Sequence, residues 1–81
     1  MIKDTLKILI ESIVDEPESI TITEKEENGL KTYEVYVQEK DMGRIIGKEG
    51  KMAKSIRTII KSIASKNKQN VTVEFMENRG K

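Results

Sequence analysis

The chain is 81 residues long, with 36% charged and 36% hydrophobic residues, a formal net charge of +1, no cysteine and no histidine. That length holds one small domain, which buries only about 60% of the surface its unfolded chain exposes. Without cysteine there is no disulfide framework, thiolate chemistry or cysteine zinc site, and without histidine the commonest acid–base group and transition-metal ligand are missing.

The first dozen residues interleave Lys3, Asp4, Lys7 and Glu11 with apolar side chains. This mixing excludes a secretory signal or membrane span there, and nothing in the chain points away from the cytoplasm. Ile2, Leu6, Leu9, Ile10 and Ile13 recur at helical spacing and predict a first amphipathic helix, with Ile8 and Val14 off its stripe as candidate exposed contacts. Pro17 is expected to stop it, because the residue before a proline is pushed out of the helical region. Ile20 and Ile22 alternate with Thr21 and Thr23 as a half-buried strand. Asn28-Gly29 predicts a hairpin turn, since both residues accept positive φ. The return strand carries Tyr33, Val35 and Val37 on one face and Glu34 and Tyr36 on the other.

Asp41 is placed to cap a very short helix from Arg44 to Ile46, ended by Gly47. From Lys51 to about Lys66 the helical period returns, with Met52, Ile56, Ile59, Ile60 and Ile63 as the expected buried stripe. Residues 66–70 read as a loop. Val71, Val73 and Phe75 alternate with Thr72 and Glu74 as a last strand, and a frayed tail is expected near the end, at 78–81. The order is α-β-β-α-α-β: an α+β fold with three helices on one face of a three-stranded sheet.

The near-zero net charge hides a division. Residues 1–43 carry five basic and eleven acidic side chains and sum to −6, whereas residues 44–68 carry eight basic and one acidic and sum to +7. A basic face on an acidic body favours an oriented encounter with a polyanion. The basic stretch centres on Gly47-Lys48-Glu49-Gly50. Two glycines three apart carry little information alone, since about 7% glycine usage gives about 0.4 such pairs by chance in a chain this long. Their setting carries more. Lys48 and Lys51 sit at the expected start of a helix, where a cation opposes the macrodipole at about 0.3–1 kcal/mol, and only Glu49 offsets them. A phosphate in that position would reconcile the charges, because glycines permit close backbone approach and helix N-termini attract anions. The alternative is a C-cap glycine followed by an ordinary turn. Lys54, Arg57 and Lys61 continue as one solvent-side strip, which is either a solvated face or an extension of the loop. Of Ile45 and Ile46, one is expected to anchor the short helix in the core and the other to line a groove. With only Tyr33, Tyr36 and Phe75 as aromatics, a sheet-surface stacking platform is disfavoured.

Ile46-Gly47-Lys48-Glu49-Gly50 followed by Ala53, Ile56, Arg57 and Ile60 resembles the signature of a KH domain, and the element order resembles its bacterial type II form. Over nearly its whole length the chain is similar to the KhpA family of small bacterial single-KH RNA-binding proteins. The resemblance implies one type II KH domain over residues 1–77, with the second strand central, antiparallel to the first and parallel to the third. It implies that Gly47 to Gly50 meet a nucleic-acid backbone beside a groove for about four nucleotides. Arg44, Ile45, Ile46, Lys51, Lys54 and Arg57 would complete the site. It further implies a broad-specificity RNA chaperone or post-transcriptional regulator that binds single-stranded RNA. Such a protein would pair with itself or with a larger KH-domain RNA-binding protein, and would be linked to cell shape and cell-wall growth. No metal, cofactor or enzymatic activity is implied.

Two other functions fit less of the sequence. One is a dimerisation or docking module with weak RNA binding. The other is a helix-turn-helix reader of duplex DNA, for which the short first helix and the lysine-glutamate turn are poorly suited.

Overall fold

A computed structural model describes residues 2–78, the Lys48 side chain excepted. The first apolar stripe forms helix α1 (Ile2–Glu11), which buries Ile2, Leu6 and Ile10. It ends well before Pro17. The Ile13 and Val14 N–H groups both donate to the Ile10 carbonyl, at 3.0 and 3.1 Å, and the Ser12 hydroxyl donates to the Ile8 carbonyl at 2.9 Å. The last turn therefore closes on itself, and Pro17 instead opens a separate 3₁₀ turn, Pro17–Ser19, where its fixed φ suits the first position. That early closure swings Val14 inward, so it is buried rather than an exposed contact, while Ile8 stays outside at 63% exposure.

Strand β1 (Thr21–Glu27) turns through Asn28 (φ 51°) and Gly29 (φ 81°) into β2 (Leu30–Val37). Two successive positive φ values match the right-handed twist of the flanking strands, as the Asn-Gly pair predicts. β2 is central, antiparallel to β1 and parallel to β3 (Asn70–Glu77). Its Tyr33, Val35 and Val37 meet Val71, Val73 and Phe75 of β3 on the helix-covered face. Tyr33 is buried, and that burial pushes its phenol upward in pKa.

The other face is open, and Glu34 lies at its centre. Its carboxylate accepts from the Thr23 hydroxyl at 3.0 Å and the Tyr36 hydroxyl at 3.5 Å, and pairs with Lys25 at 3.2 Å. The Thr23 hydrogen bond, and then Lys25, hold this carboxyl below the ordinary glutamate range.

The second helical region, α2, spans Glu39–Lys66. Glu49 (φ 65°) and Gly50 (φ 70°) are both left-handed, a conformation that cannot continue a right-handed helix. They divide α2 into a first arm, 39–48, and a second, 51–66, so the order is α-β-β-α-α-β with three helices on one face of a mixed three-stranded sheet. The first arm thus starts five residues earlier than the sequence suggests and runs through Gly47 rather than ending there. Asp41 lies inside its first turn and caps a different segment. Only 1% exposed, its carboxylate accepts the backbone N–H groups of Asp15 at 3.0 Å and Glu16 at 3.4 Å.

The second arm faces the core with Ala53, Ile56, Ile60 and Ala64. Met52 and Ile59, expected in the stripe, are partly exposed. The two alanines define the contact line because small side chains let the helix approach the sheet, and this rotates Met52 and Ile59 to its flank. The arm ends in a Schellman motif: Gln69 N–H donates to the Ala64 carbonyl at 2.8 Å and Lys68 N–H to the Ser65 carbonyl at 3.0 Å. Lys68 takes the left-handed position (φ 57°) usually given to glycine.

β3 extends through Glu77. Asn78, at the start of the expected tail, donates its N–H to the Val37 carbonyl at 2.7 Å and its side-chain amide to the Ser19 carbonyl at 3.1 Å. Residues 79–81 lie outside the described residues. No helix among those described is long and apolar enough to cross a membrane.

Two predictions follow from these buried and half-buried carboxylates. Asp41→Ala strands two backbone donors, so urea titration is expected to show a loss of about 2–3 kcal/mol, with Asp41→Asn intermediate. An unchanged midpoint would remove Asp41 from the account of how the first arm is held. For Glu34, the folded carboxyl is the stronger acid, so its stabilisation is fully present above the ordinary glutamate range and is lost as pH falls below that range through the depressed folded value. Thermal melts of the native chain and Glu34→Gln are therefore expected to differ at neutral pH and converge under acid.

Candidate nucleic-acid interface

Of the four residues at the break in α2, only Glu49 and Gly50 need positive φ. Gly47 lies in the helical region, so its glycine is not required by backbone conformation. A Cβ built on either Gly47 or Gly50 would meet nothing within 4 Å, so the space outside both is open. Glu49 is exposed and Gly50 half-buried. The Lys48 side chain lies outside the described residues.

Of the two isoleucines before the break, one is expected to anchor the first arm, and that one is Ile45, which is fully buried; Ile46 is 42% exposed.

The cations fall into two groups. Arg44 is held: its Nη1 donates to the Ile13 carbonyl and to Asp15 Oδ1, and its Nη2 donates to Asp15 Oδ2, each at 3.0 Å. That two-pronged contact with Asp15 raises its already high pKa and neutralises its charge locally. Lys40 pairs with Glu16 at 3.3 Å, Lys25 with Glu34, and Lys31 with Glu24 at 3.7 Å. Among the described residues, Lys51, Lys54, Lys61, Lys66 and Lys68 have no carboxylate partner, nor do Arg57 or, on α1, Lys3 and Lys7. The carboxylates of the acidic body therefore pair with Lys25, Lys31, Lys40 and Arg44 and with none of the described cations of the second arm.

Arg57 is the link between the second arm and the sheet. Its Nε donates to the Val73 carbonyl on the outer edge of β3 at 2.9 Å, and its guanidinium lies 5.7 Å from the Phe75 ring centroid. The hydrogen bond and the cation–π contact fix the side chain, while neither Nη group has a hydrogen-bond partner among the described residues. The sequence points to Arg57 as a cation. Its use of a β3 carbonyl leaves no local signal, because positions 57 and 73 meet only through the fold.

Near the break, then, the structure shows exposed Ile46, open space outside Gly47 and Gly50, and Arg57 fixed on the β3 edge. Lys51 and Lys54 are exposed on the second arm, whereas Ile45 faces the core and Arg44 is held on the turn after α1. At the upper end of β3, Tyr36, Met42, Phe75, Met76 and Glu77 line a shallow depression of mixed polarity. The described residues hold no cluster of carboxylates suited to a metal.

Comparison with known proteins gives one answer. Residues 3–75 match the family model for the KhpA/KhpB KH domain. The chain is 43% identical over 77 residues to RNA-binding protein KhpA of Chlamydia caviae, covering 95% of this chain and 99% of that protein. It is 41% identical over 69 residues to RNA-binding protein KhpA of Listeria monocytogenes, covering 85% and 91%. The protein of that name in Clostridium perfringens is 38% identical over 74 residues, covering 91% and 99%. Among solved structures, Aquifex aeolicus Era bound to GDP and tetrafluoroaluminate shares the fold, with a TM-score of 0.65 at 19% identity. The match covers 94% of this chain and 29% of that one.

The glycines make opposite predictions for stability. Gly47→Ala is expected to stabilise the chain by about 0.5–1 kcal/mol, because the position is helical and the space outside it is open. Gly50→Ala is expected to cost about 1–2 kcal/mol, because φ there is left-handed. Chemical denaturation of the two variants checks both signs, and equal effects would contradict the geometry of the break.

Proposed function

The chain belongs to the KhpA/KhpB KH-domain family, and from that premise we propose that it binds single-stranded RNA through the break in α2. The observation that carries this reading is the pairing of open space outside Gly47 and Gly50 with a flank of unneutralised cations. Gly47 is a helical residue with no conformational reason to be glycine, and a chain optimised for stability alone would hold alanine there. Close approach of a sugar-phosphate backbone supplies the reason, and successive backbone N–H groups where the helix reverses hand form a natural anion concavity.

In this reading Gly47, Lys48, Glu49, Gly50 and Lys51 position the backbone, and Lys54 adds attraction. Ile46 offers an apolar surface for a base. Arg57, fixed on Val73 and Phe75, keeps its Nη donors for the bases in the groove. Ile45 and Arg44 act indirectly, by holding the first arm in place. Glu49 moderates the charge of the loop, and the groove takes about four nucleotides, so affinity for a single site is modest. Pairing with a second copy or with a larger KH-domain RNA-binding protein would add avidity. The outward face of α1, which carries exposed Ile8, is the surface we assign to that contact. A cytoplasmic RNA chaperone or post-transcriptional regulator fits such a short, weakly selective groove.

Two measurements test the site. With two or three phosphates neutralised, log K for a tetranucleotide is expected to fall with log salt at a slope of about −1.4 to −2. Lys48→Asp with Glu49→Asp is expected to abolish binding while the melting profile shows a folded domain. Gly47→Ala is expected to bind more weakly although it is more stable. Undiminished RNA affinity in the folded double variant would defeat the loop assignment.

A further inference from the structure

The unpaired cations of the second arm extend beyond what a four-nucleotide groove uses. Lys54 and Lys61 are seven residues apart, two helical turns, so they lie on nearly the same line with a separation of about 10 Å along the axis. Arg57 sits between them and faces β3, which places this line along the outer edge of the sheet. Lys68 follows after seven more residues, just past the helix end. It lines a depression of about 260 Å³ with Glu26, Gly29, Lys31, Gln69, Asn70 and Val71. The Lys31 ammonium rests 3.7 Å from the Glu24 carboxylate and 6.0 Å from the Tyr33 ring centroid, so it must swing away from both to reach a ligand at Lys68.

We propose that this flank carries the sugar-phosphate backbone of a single RNA strand beyond the groove, along Lys54 and Lys61, to a second anchor at Lys68 and Lys31. The inference rests on the single-stranded RNA reading above and extends it to a longer site.

The conformation of Lys68 supports a role other than stability. It occupies the left-handed position of the Schellman motif, where glycine closes the same hydrogen bonds without strain. Complementing the helix macrodipole does not require a cation there, because Lys66 in the last turn already provides one. Nor does the macrodipole explain Lys54 and Lys61 in mid-arm. The line and the strained lysine place positive charge at intervals along the second arm, from just after the glycine break to just past its C-terminal end. An extended polyanion fits that path.

The test compares a tetranucleotide with a decanucleotide of the same mixed composition, titrated against the full chain by fluorescence anisotropy at several salt concentrations. The slope is the readout, because extra binding registers on a longer oligomer raise affinity without changing its salt dependence. Contacts at Lys61 and Lys68 are expected to steepen the decanucleotide slope by about 1.4, which is about sevenfold more affinity lost over a fourfold rise in salt. In the variant Lys61→Gln with Lys68→Gly, the decanucleotide slope is expected to fall to the tetranucleotide value, with tetranucleotide affinity unchanged. Lys68→Gly relieves strain, so that variant is expected to melt no lower than the native chain, and unfolding cannot account for the loss. Equal slopes for the two lengths overturn the extension while leaving the groove intact. A steeper decanucleotide slope that survives the double variant also overturns it. Failure of the native chain to bind either oligomer removes the groove reading, and this inference with it.

Discussion

The reversal of backbone hand at Glu49 and Gly50 is the constraint on which the rest of the structure depends. Without it α2 would be one straight rod about 40 Å long, given 1.5 Å per residue, and would overhang a three-stranded sheet. With it, each arm is held independently. The first arm is tied to the turn after α1 by buried Asp41, which accepts two backbone N–H groups, and by Arg44 on Asp15. The second arm is tied to the sheet by Ala53, Ile56, Ile60 and Ala64, and by Arg57 on the Val73 carbonyl. The break is therefore exposed between two well-fixed segments. A site that must present backbone to a ligand benefits from such rigid supports, because little ordering remains to be done on binding.

The electrostatics follow the same division. Both arginines of the described chain are fixed, but with different consequences. Arg44 meets a carboxylate and loses its field, whereas Arg57 meets a carbonyl and an aromatic face and keeps its charge. Arg57 can thus hold the groove together while remaining attractive to a polyanion. The acidic residues of the first half of the chain work locally: Asp15, Glu16, Glu24 and Glu34 each neutralise a nearby cation. None reaches the second arm. Of the +7 carried by residues 44–68, Arg44 is neutralised, while the described Lys51, Lys54, Lys61, Lys66 and Lys68 are exposed without a carboxylate partner.

Much of this fold was legible from local pattern. Alternation in β2 and β3, the Asn-Gly turn and the two helical stripes each report a local preference that the tertiary structure does not override. What the sequence misassigned involves long-range partners. Asp41 looks like an N-cap because aspartate before a helical run usually is one; its real partners are 25 and 26 residues away. Pro17 looks like the helix stop, but backbone closure at Ile10 comes first. Met52 and Ile59 share the helical period with the core residues, and only the close approach permitted by Ala53 and Ala64 decides which line faces the sheet. At the site, the motif marks Gly47 and Gly50 alike. Whether either needs a left-handed backbone depends on where the helix breaks, and here that is one residue before Gly50.

The left-handed residues separate stability from function. Asn28 and Gly29 are residue types that tolerate positive φ, and the hairpin they form costs little. Glu49 and Lys68 are not, and each costs about 1–2 kcal/mol relative to a relaxed backbone. For a small domain whose total stability is about 5–15 kcal/mol, that is a substantial share. Dipole complementarity returns part of it, since Glu49 precedes the N-terminus of the second arm and Lys68 follows its C-terminus, at about 0.3–1 kcal/mol each. The same reasoning makes Lys51 unfavourable at the arm's start and gives Lys54 and Lys61 nothing. The helix itself thus returns only part of the cost at the ends of the second arm and gives no reason for the lysines along it. In the single-stranded RNA reading proposed above, that reason is an anion long enough to pass several of them.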